Sequence, residues 1–269
     1  MQRLYHYTNV DALALILKNK TIRFKRLDTV DDIEEGHLNP KGIQFCKYVF
    51  TSCWTKSHEE NIPLWSMYGR QDGVRISLPL QMFQKYDIYS PYITDNPLGH
   101  MTSLIPKEDL FNDRFMVFPF IDYNKKAFFR DVKYVAEINE KLSEAILFIP
   151  RENGTSDLYI SMESFGSYKH NRWEFQNESR FVLYIFPFGT NSMQDIKPED
   201  LANCLLNNKN LDFDYYDLRL NQSALDDLII TLSPAASESK KIIVDSLIKE
   251  YAPNAKLETS SLGKLVRLK

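Results

Sequence analysis

Three side chains that could do chemistry stand at alternate positions late in the chain: Gln176, Glu178 and Arg180, inside Trp173-Glu174-Phe175-Gln176-Asn177-Glu178-Ser179-Arg180. In extended backbone they share one face, because side chains alternate across a strand. The apolar run Phe181-Val182-Leu183-Tyr184-Ile185-Phe186 follows and reads as a buried strand. A carboxylate at the mouth of a core strand can steady a developing positive charge. It can equally be neutralised by its neighbour, and a plain Glu178–Arg180 ion pair is the competing reading. Near the start, Leu4-Tyr5-His6-Tyr7 alternates and is followed by Thr8-Asn9-Val10-Asp11, which fits a helix-capping box. His6 and Thr8 thus fall at a strand-to-helix junction, as ligand-binding groups or as a packed histidine and a cap. An acidic stretch from Asp28 to Gly36 holds Asp31, Asp32, Glu34 and Glu35. Its oxygens could hold a hard cation, but their spacing does not fit a calcium loop, so a solvated loop or helix start is the simpler reading.

The elements that must position these groups alternate between strands and helices. Val10, Leu13, Ala14 and Leu17 recur at helical spacing. Thr21–Phe24 reads as a short strand. Lys47–Trp54 reads as a central strand whose Thr51-Ser52 end either lines a cleft or merely ends the strand. Pro63 opens a helix through Tyr68 that Gly69 caps, with Trp65 and Tyr68 on one face. These two aromatics are core, or a wall on which a planar ring stacks. Gly73–Leu78 is the next strand. Short strands are expected at 115–118 and 128–135, with helices over 137–148 and 157–170. A polar, Asn-rich region runs from about 187 to 224. A strand follows at 225–232, then a helix from Ser233-Pro234 to Tyr251, and terminal strands at 256–259 and 265–268. The class is α+β, with mixed and antiparallel sheets and flanking helices. Residues 1–269 form a single domain with an elaborated insert around 80–172.

Composition narrows the function classes. An aromatic content of 13% argues against disorder, and a net charge of −3 gives no global pull toward nucleic acid or an anionic membrane. Three cysteines, with no Cys-x-x-Cys, suit a reducing compartment. No apolar run approaches the ~20 residues of a membrane span, and the first residues lack a signal-peptide pattern, so the expectation is a soluble cytoplasmic protein with no membrane partner. Only 9 glycines occur, with neither a Gly-x-Gly-x-x-Gly nor a P-loop, so a nucleotide would not be held by those routes.

Taken together these pieces resemble a large bacterial family known as domain of unknown function two-nine-seven-one. The resemblance rests on Leu4-Tyr5-His6-Tyr7-Thr8, the acidic loop at Asp31-Asp32-Ile33-Glu34-Glu35, and Ser52-Cys53. It continues through Leu64-Trp65-Ser66-Met67-Tyr68 before Gly73-Val74, then Trp173, Gln176, Glu178 and Arg180, and Ser233-Pro234. Asp31 and Ile33 depart from the family's Asn and Pro, and Gln176 from its first Glu. That family in turn is similar, more distantly, to the ADP-ribosyltransferases. This second resemblance implies NAD as substrate with no metal, Glu178 and Gln176 as catalytic residues, His6 and Thr8 against ribose, and Thr51-Ser52 as the hydroxyl-bearing end of the middle strand, with Ser52 on the cofactor. It further implies Trp65 or Tyr68 stacked on nicotinamide, and transfer to a protein or nucleic-acid acceptor, or hydrolysis of NAD. Two alternatives stand beside it: a non-catalytic binding or defence-associated module, and a metal-dependent nuclease or phosphodiesterase using Asp31, Asp32, Glu35 and Glu178.

Overall fold

A computed structural model describes residues 2–89, 100–118, 128–152, 154–192, 195–263 and 265–266. Helices and mixed sheets make an α+β architecture around one large sheet. The N-terminal elements are β1 (Arg3–Asn9), α1 (Val10–Asn19), β2 (Thr21–Arg26), α2 (Ile33–Gly36), β3 (Val49–Thr55), α3 (Ile62–Tyr68) and β4 (Gly73–Pro79). Asn9, not Thr8, caps α1: its side chain accepts from the Ala12 amide, and Thr8 stays in β1, opposite Val74 of β4.

The sheet runs Tyr215–Arg219, β2, β3, β1, β4, Ile229–Leu232, Lys256–Thr259. The Glu178–Phe186 strand pairs antiparallel with β3 from Glu178↔Thr55 to Tyr184↔Val49, and on its far side meets Phe129–Asp131 and Met116–Val117. One edge of β3 is therefore taken along its whole length. The other edge is shared: β2 pairs at Thr51 and Phe50, while β1 pairs only at Thr55, opposite Tyr5. Between those points β1 and β2 diverge, and the sheet forks.

Alternation sends the Glu178–Phe186 strand into two cores. Phe181, Leu183 and Ile185 pack with α1 residues, Phe50, Trp54 and Ile76, whereas Val182, Tyr184 and Phe186 pack with Phe45, Tyr48 and Phe165. All nine residues of the strand are buried, so its sequence reads as continuously apolar once past Arg180. Phe181 is the hub of the first core, with Trp54, Phe83, Phe128 and Phe129 rings at centroid distances of 6.3, 5.0, 5.1 and 4.7 Å.

Several expected elements differ. The 137–148 helix stops at Glu144, and Ile146–Pro150 pairs with Ser156–Ile160 as a hairpin, where a second helix was expected. Tyr168–His170 is a strand parallel to Lys133–Val135. The β-branched and aromatic residues of 156–170 fit pleated, half-buried surfaces, and that context overrides a helical count. The Asn-rich region contains a helix, Pro198–Leu206, and a strand, Tyr215–Arg219. The strand expected over 225–232 narrows to Ile229–Leu232, because Gln222–Asp226 is a short helix. The C-terminal helix begins at Glu238, capped by Ser237, rather than at Ser233-Pro234. Of the expected 265–268 strand, Leu265 and Val266 are not in a strand, and 267 and 268 lie outside the described residues.

Gly69 and Gly73 let α3 close tightly on the start of β4. A Cβ on Gly69 would lie 2.3 Å from the Gly73 Cα, so a side chain here would push α3 away from the sheet. The packing around Phe181 yields a direct expectation. Phe181→Ala should cost roughly 3–5 kcal/mol in urea unfolding, since four surrounding rings cannot collapse into the space it leaves. A loss under ~1 kcal/mol would mean that these rings do not form one core.

Candidate functional site

The fork between β1 and β3 opens into a cleft of about 550 Å³. His6, Thr8, Ser52, Tyr68, Gln176 and Glu178 all line it. They approach from different sides. On β1, Tyr7 turns to the Leu64–Trp65 cluster while Leu4 joins the large core, so His6 and Thr8 take the large-core side by alternation. On the Glu178–Phe186 strand, Glu178 and Arg180 share the parity of Val182 and point to the opposite side of the sheet. The fork joins the two sides into one hollow.

His6 spans the fork. Its Nδ1 lies 2.7 Å from the carbonyl oxygen of Cys53, a group left without a β1 partner where the strands diverge. A carbonyl only accepts, so Nδ1 carries the proton and Nε2 is the ring's acceptor. Burial holds the His6 pKa below its ordinary value, with the Cys53 bond opposing, which keeps the ring neutral. The imidazole also packs against Trp54, ring centroids 5.2 Å apart.

Gln176 does not sit in extended backbone as its spacing suggested. Residues Asn171–Gln176 form a 3₁₀ turn, ended by Asn177 in the left-handed region (φ 43°), a conformation Asn tolerates. Gln176 nevertheless reaches Glu178's surroundings. Its Oε1 accepts from Lys169 Nζ at 2.7 Å and its Nε2 donates to Tyr68 Oη at 3.0 Å. Lys169 donates to Glu178 Oε2 at 3.0 Å, and its ammonium stands 4.9 Å from the Trp173 ring centre.

Arg180 is 1% exposed and uses all five N–H groups inside the protein. Nε donates to Glu178 Oε1; the two terminal nitrogens fork onto Glu35 and also reach Glu178 Oε2 (3.3 Å) and the Gly166 carbonyl (3.3 Å). The plain ion pair weighed against a catalytic Glu178 is thus present, as part of a buried four-charge network of Glu35, Glu178, Arg180 and Lys169. Burial alone would raise the Glu178 carboxyl, but Arg180 and Lys169 hold it down at about 2. Burial pushes Glu35 up, and Arg180 opposes. Arg180 itself is held well above its ordinary value by the two carboxylates, against the effect of burial.

Two expected site residues have other engagements. Trp65 is fully buried, edge-on to Tyr7 at 4.9 Å, and donates Nε1–H to Glu60 at 2.9 Å; it does not line the cleft and cannot stack a ligand ring from there. Tyr68, three residues on, does line it. Ser52 points to the large-core side, where its hydroxyl accepts from Trp54 Nε1 at 3.0 Å. The acidic loop also behaves differently from a metal nest. Asp32 caps α2 and Glu35 is forked by Arg180, whose guanidinium stands between Glu35 and Glu178 and prevents those carboxylates from converging on one cation. Lys169 is absent from the expected site, because a lysine in a stretch expected to be a helix carries no sign that it will be 6% exposed.

No protein-family model, no curated protein and no solved structure matches the chain. The resemblance drawn from the motifs therefore rests on those residues alone. No helix among the described residues is long and apolar enough to cross a membrane.

The network sets an acid limit on stability. Glu178 has a folded pKa of about 2 against an ordinary 4.5. Its stabilisation is complete above 4.5 and is lost as pH falls toward 2, on the order of 3 kcal/mol in all. Urea midpoints measured from pH 6 down to pH 2 should fall steeply in the wild type and less steeply in Glu178→Gln; parallel slopes would rule Glu178 out as the cause. Arg180→Met should cost roughly 3–5 kcal/mol at pH 7, since it strands two buried carboxylates, and part of that loss should return on acidification.

Proposed function

We propose that the cleft binds NAD and that the protein breaks the bond between nicotinamide and ribose, passing the ADP-ribosyl group to water or to an acceptor on a protein or nucleic acid. The observation that carries this reading is that Gln176 and Glu178, from late in the chain, line one ligand-sized hollow with His6 and Thr8 from its start.

The chemistry constrains each role. As the bond between ribose C1′ and the nicotinamide nitrogen breaks, the electron pair stays on that nitrogen, which loses its positive charge. Positive charge develops on the ribose, as in glycoside hydrolysis. The nucleophile then bonds to C1′ and releases its proton to solvent. Glu178, with a pKa of about 2, is too acidic to carry protons near neutrality, so its role is electrostatic: a fixed anion beside C1′ that grips the neighbouring hydroxyl. A carboxylate has about four acceptor positions, and Arg180 and Lys169 occupy three of them at Glu178. The ligand hydroxyl would take the fourth, displacing only the weakly donating Cys53 thiol. Gln176 orients the acceptor, neutral His6 offers Nε2 to a ribose hydroxyl, Thr8 adds a second polar contact, and Tyr68 or Trp173 forms an aromatic wall.

A second reading follows from the closed Glu178–Arg180 pair: the cleft binds such a nucleotide without chemistry. The two separate in one set of measurements. A transferase or hydrolase should show a thermal shift with NAD and release nicotinamide, and Glu178→Gln should cut the release by roughly a hundredfold or more while retaining the shift. A shift without nicotinamide release, with water and with protein and nucleic-acid acceptors offered, selects the binding module. No shift and no release sinks both.

A further inference from the structure

Two buried acceptors line the cleft with no hydrogen-bond partner among the described residues. Asp32 is 5% exposed and its Oδ2 has no hydrogen-bond partner; Oδ1 accepts only the Glu35 amide, at 3.3 Å. Thr51 is 3% exposed and its Oγ1 is equally without a partner. Both residues line the cleft. A buried, unsatisfied carboxylate oxygen is costly to keep, and native proteins rarely leave one without a purpose.

Their position relative to Glu178 is set by the β3 register. Thr55 lies opposite Glu178, and Thr51 is four residues back along the same strand and, by parity, on the same side of the sheet. The two ends of this side of the cleft are thus roughly 13 Å apart, at the usual rise per residue. Arg180, paired to Cys53, lies between them, and Asp32 caps the helix whose Glu35 forks that same Arg180. Glu35, Glu178, Arg180 and Lys169 balance to zero among themselves, whereas Asp32 makes no ion pair with any of the described residues.

The geometry points to a second subsite at Asp32 and Thr51 that takes the vicinal hydroxyls of a ribose and rejects a ribose carrying a phosphate at that place. This rests on the reading of the cleft as an NAD site, with Glu178 holding the nicotinamide ribose and Asp32–Thr51 holding the adenosine ribose at the other end. A diol offers two O–H donors to two waiting acceptors. Lys25, on β2 opposite Thr51, lines the same cleft, which disfavours an ammonium ligand and suits the diphosphate that joins the two riboses. A 2′-phosphate would bring its charge against the buried Asp32 carboxylate and offer it no donor.

The test is calorimetric binding of ADP-ribose and of ADP-ribose bearing a phosphate on the 2′-hydroxyl of the adenosine ribose, alongside nicotinamide release from NAD. The wild type should prefer the unphosphorylated ligand by roughly tenfold or more. Asp32→Asn should bring the two affinities within about threefold of one another, chiefly by losing ADP-ribose. Because Asp32 also caps α2, Thr51→Val provides a second arm that leaves that cap intact, and it should weaken ADP-ribose by roughly fivefold or more. An unchanged preference in folded Asp32→Asn, unchanged affinity in Thr51→Val, or no binding of ADP-ribose by the wild type overturns the subsite. The two inferences separate cleanly: nicotinamide release with no such discrimination discards the subsite and keeps the enzyme, whereas discrimination with no release does the reverse.

Discussion

The guanidinium of Arg180 is the joint on which this side of the molecule depends. It is buried, and its five N–H groups go to two carboxylates and one carbonyl. A cation so placed is tolerated only if every donor is satisfied and the surrounding charges balance. Glu35 on α2 and Glu178 at the strand entrance meet that requirement together, and Lys169 returns the total to neutrality. The short α2 helix, far too short to be stable alone, is thereby anchored to the central strand. Lys169 in turn ties Gln176, and through it Tyr68 of α3, to the same centre. Breaking the network would loosen three walls of the cleft at once.

The second constraint is the fork. A strand has two edges, and β3 gives one of them entirely to the Glu178–Phe186 strand. Its other edge is divided between β1 and β2, which α1 joins and holds apart. The backbone groups exposed by that divergence need partners, and the His6 ring supplies one to the Cys53 carbonyl. The hollow is therefore a consequence of sheet topology. It brings together side chains from opposite sides of the sheet, which a continuous sheet would have kept apart.

Legibility in the sequence followed how local each signal was. β1, α1, β2, α3 and β4 are recognisable from alternation, helical spacing, Pro63 and Gly69, because their propensity and burial agree. The expected helix is present over Ile138–Glu144, but 146–170 differs, because a tally of apolar positions cannot distinguish a helix from a hairpin whose strands are partly exposed. Leu147, Phe148 and Tyr159 lie on the surface, so the pattern lacks the clean polar alternation that marks a strand. Trp65 and Tyr68 share a helix face, yet one is core and the other borders the cleft; Gly69 and Gly73 approach closely, and a Cβ on Gly73 would lie 3.2 Å from the Trp65 ring, so Trp65 is the one pressed against the sheet.

What the chain determines by itself is the α+β class, the buried strand after Arg180, and the pairing of Glu178 with a nearby cation. Each depends on residues a few positions apart, where backbone geometry settles which side chains can meet. What only the tertiary structure decided is which charges surround that carboxylate and which groups share its hollow. Glu35 with Asp32, Lys169 and His6 come from three separated segments, and their meeting depends on the register of β3 and on how the sheet divides. Such contacts depend on the closure of long loops, whose outcome the packing of the whole molecule sets and no local pattern records.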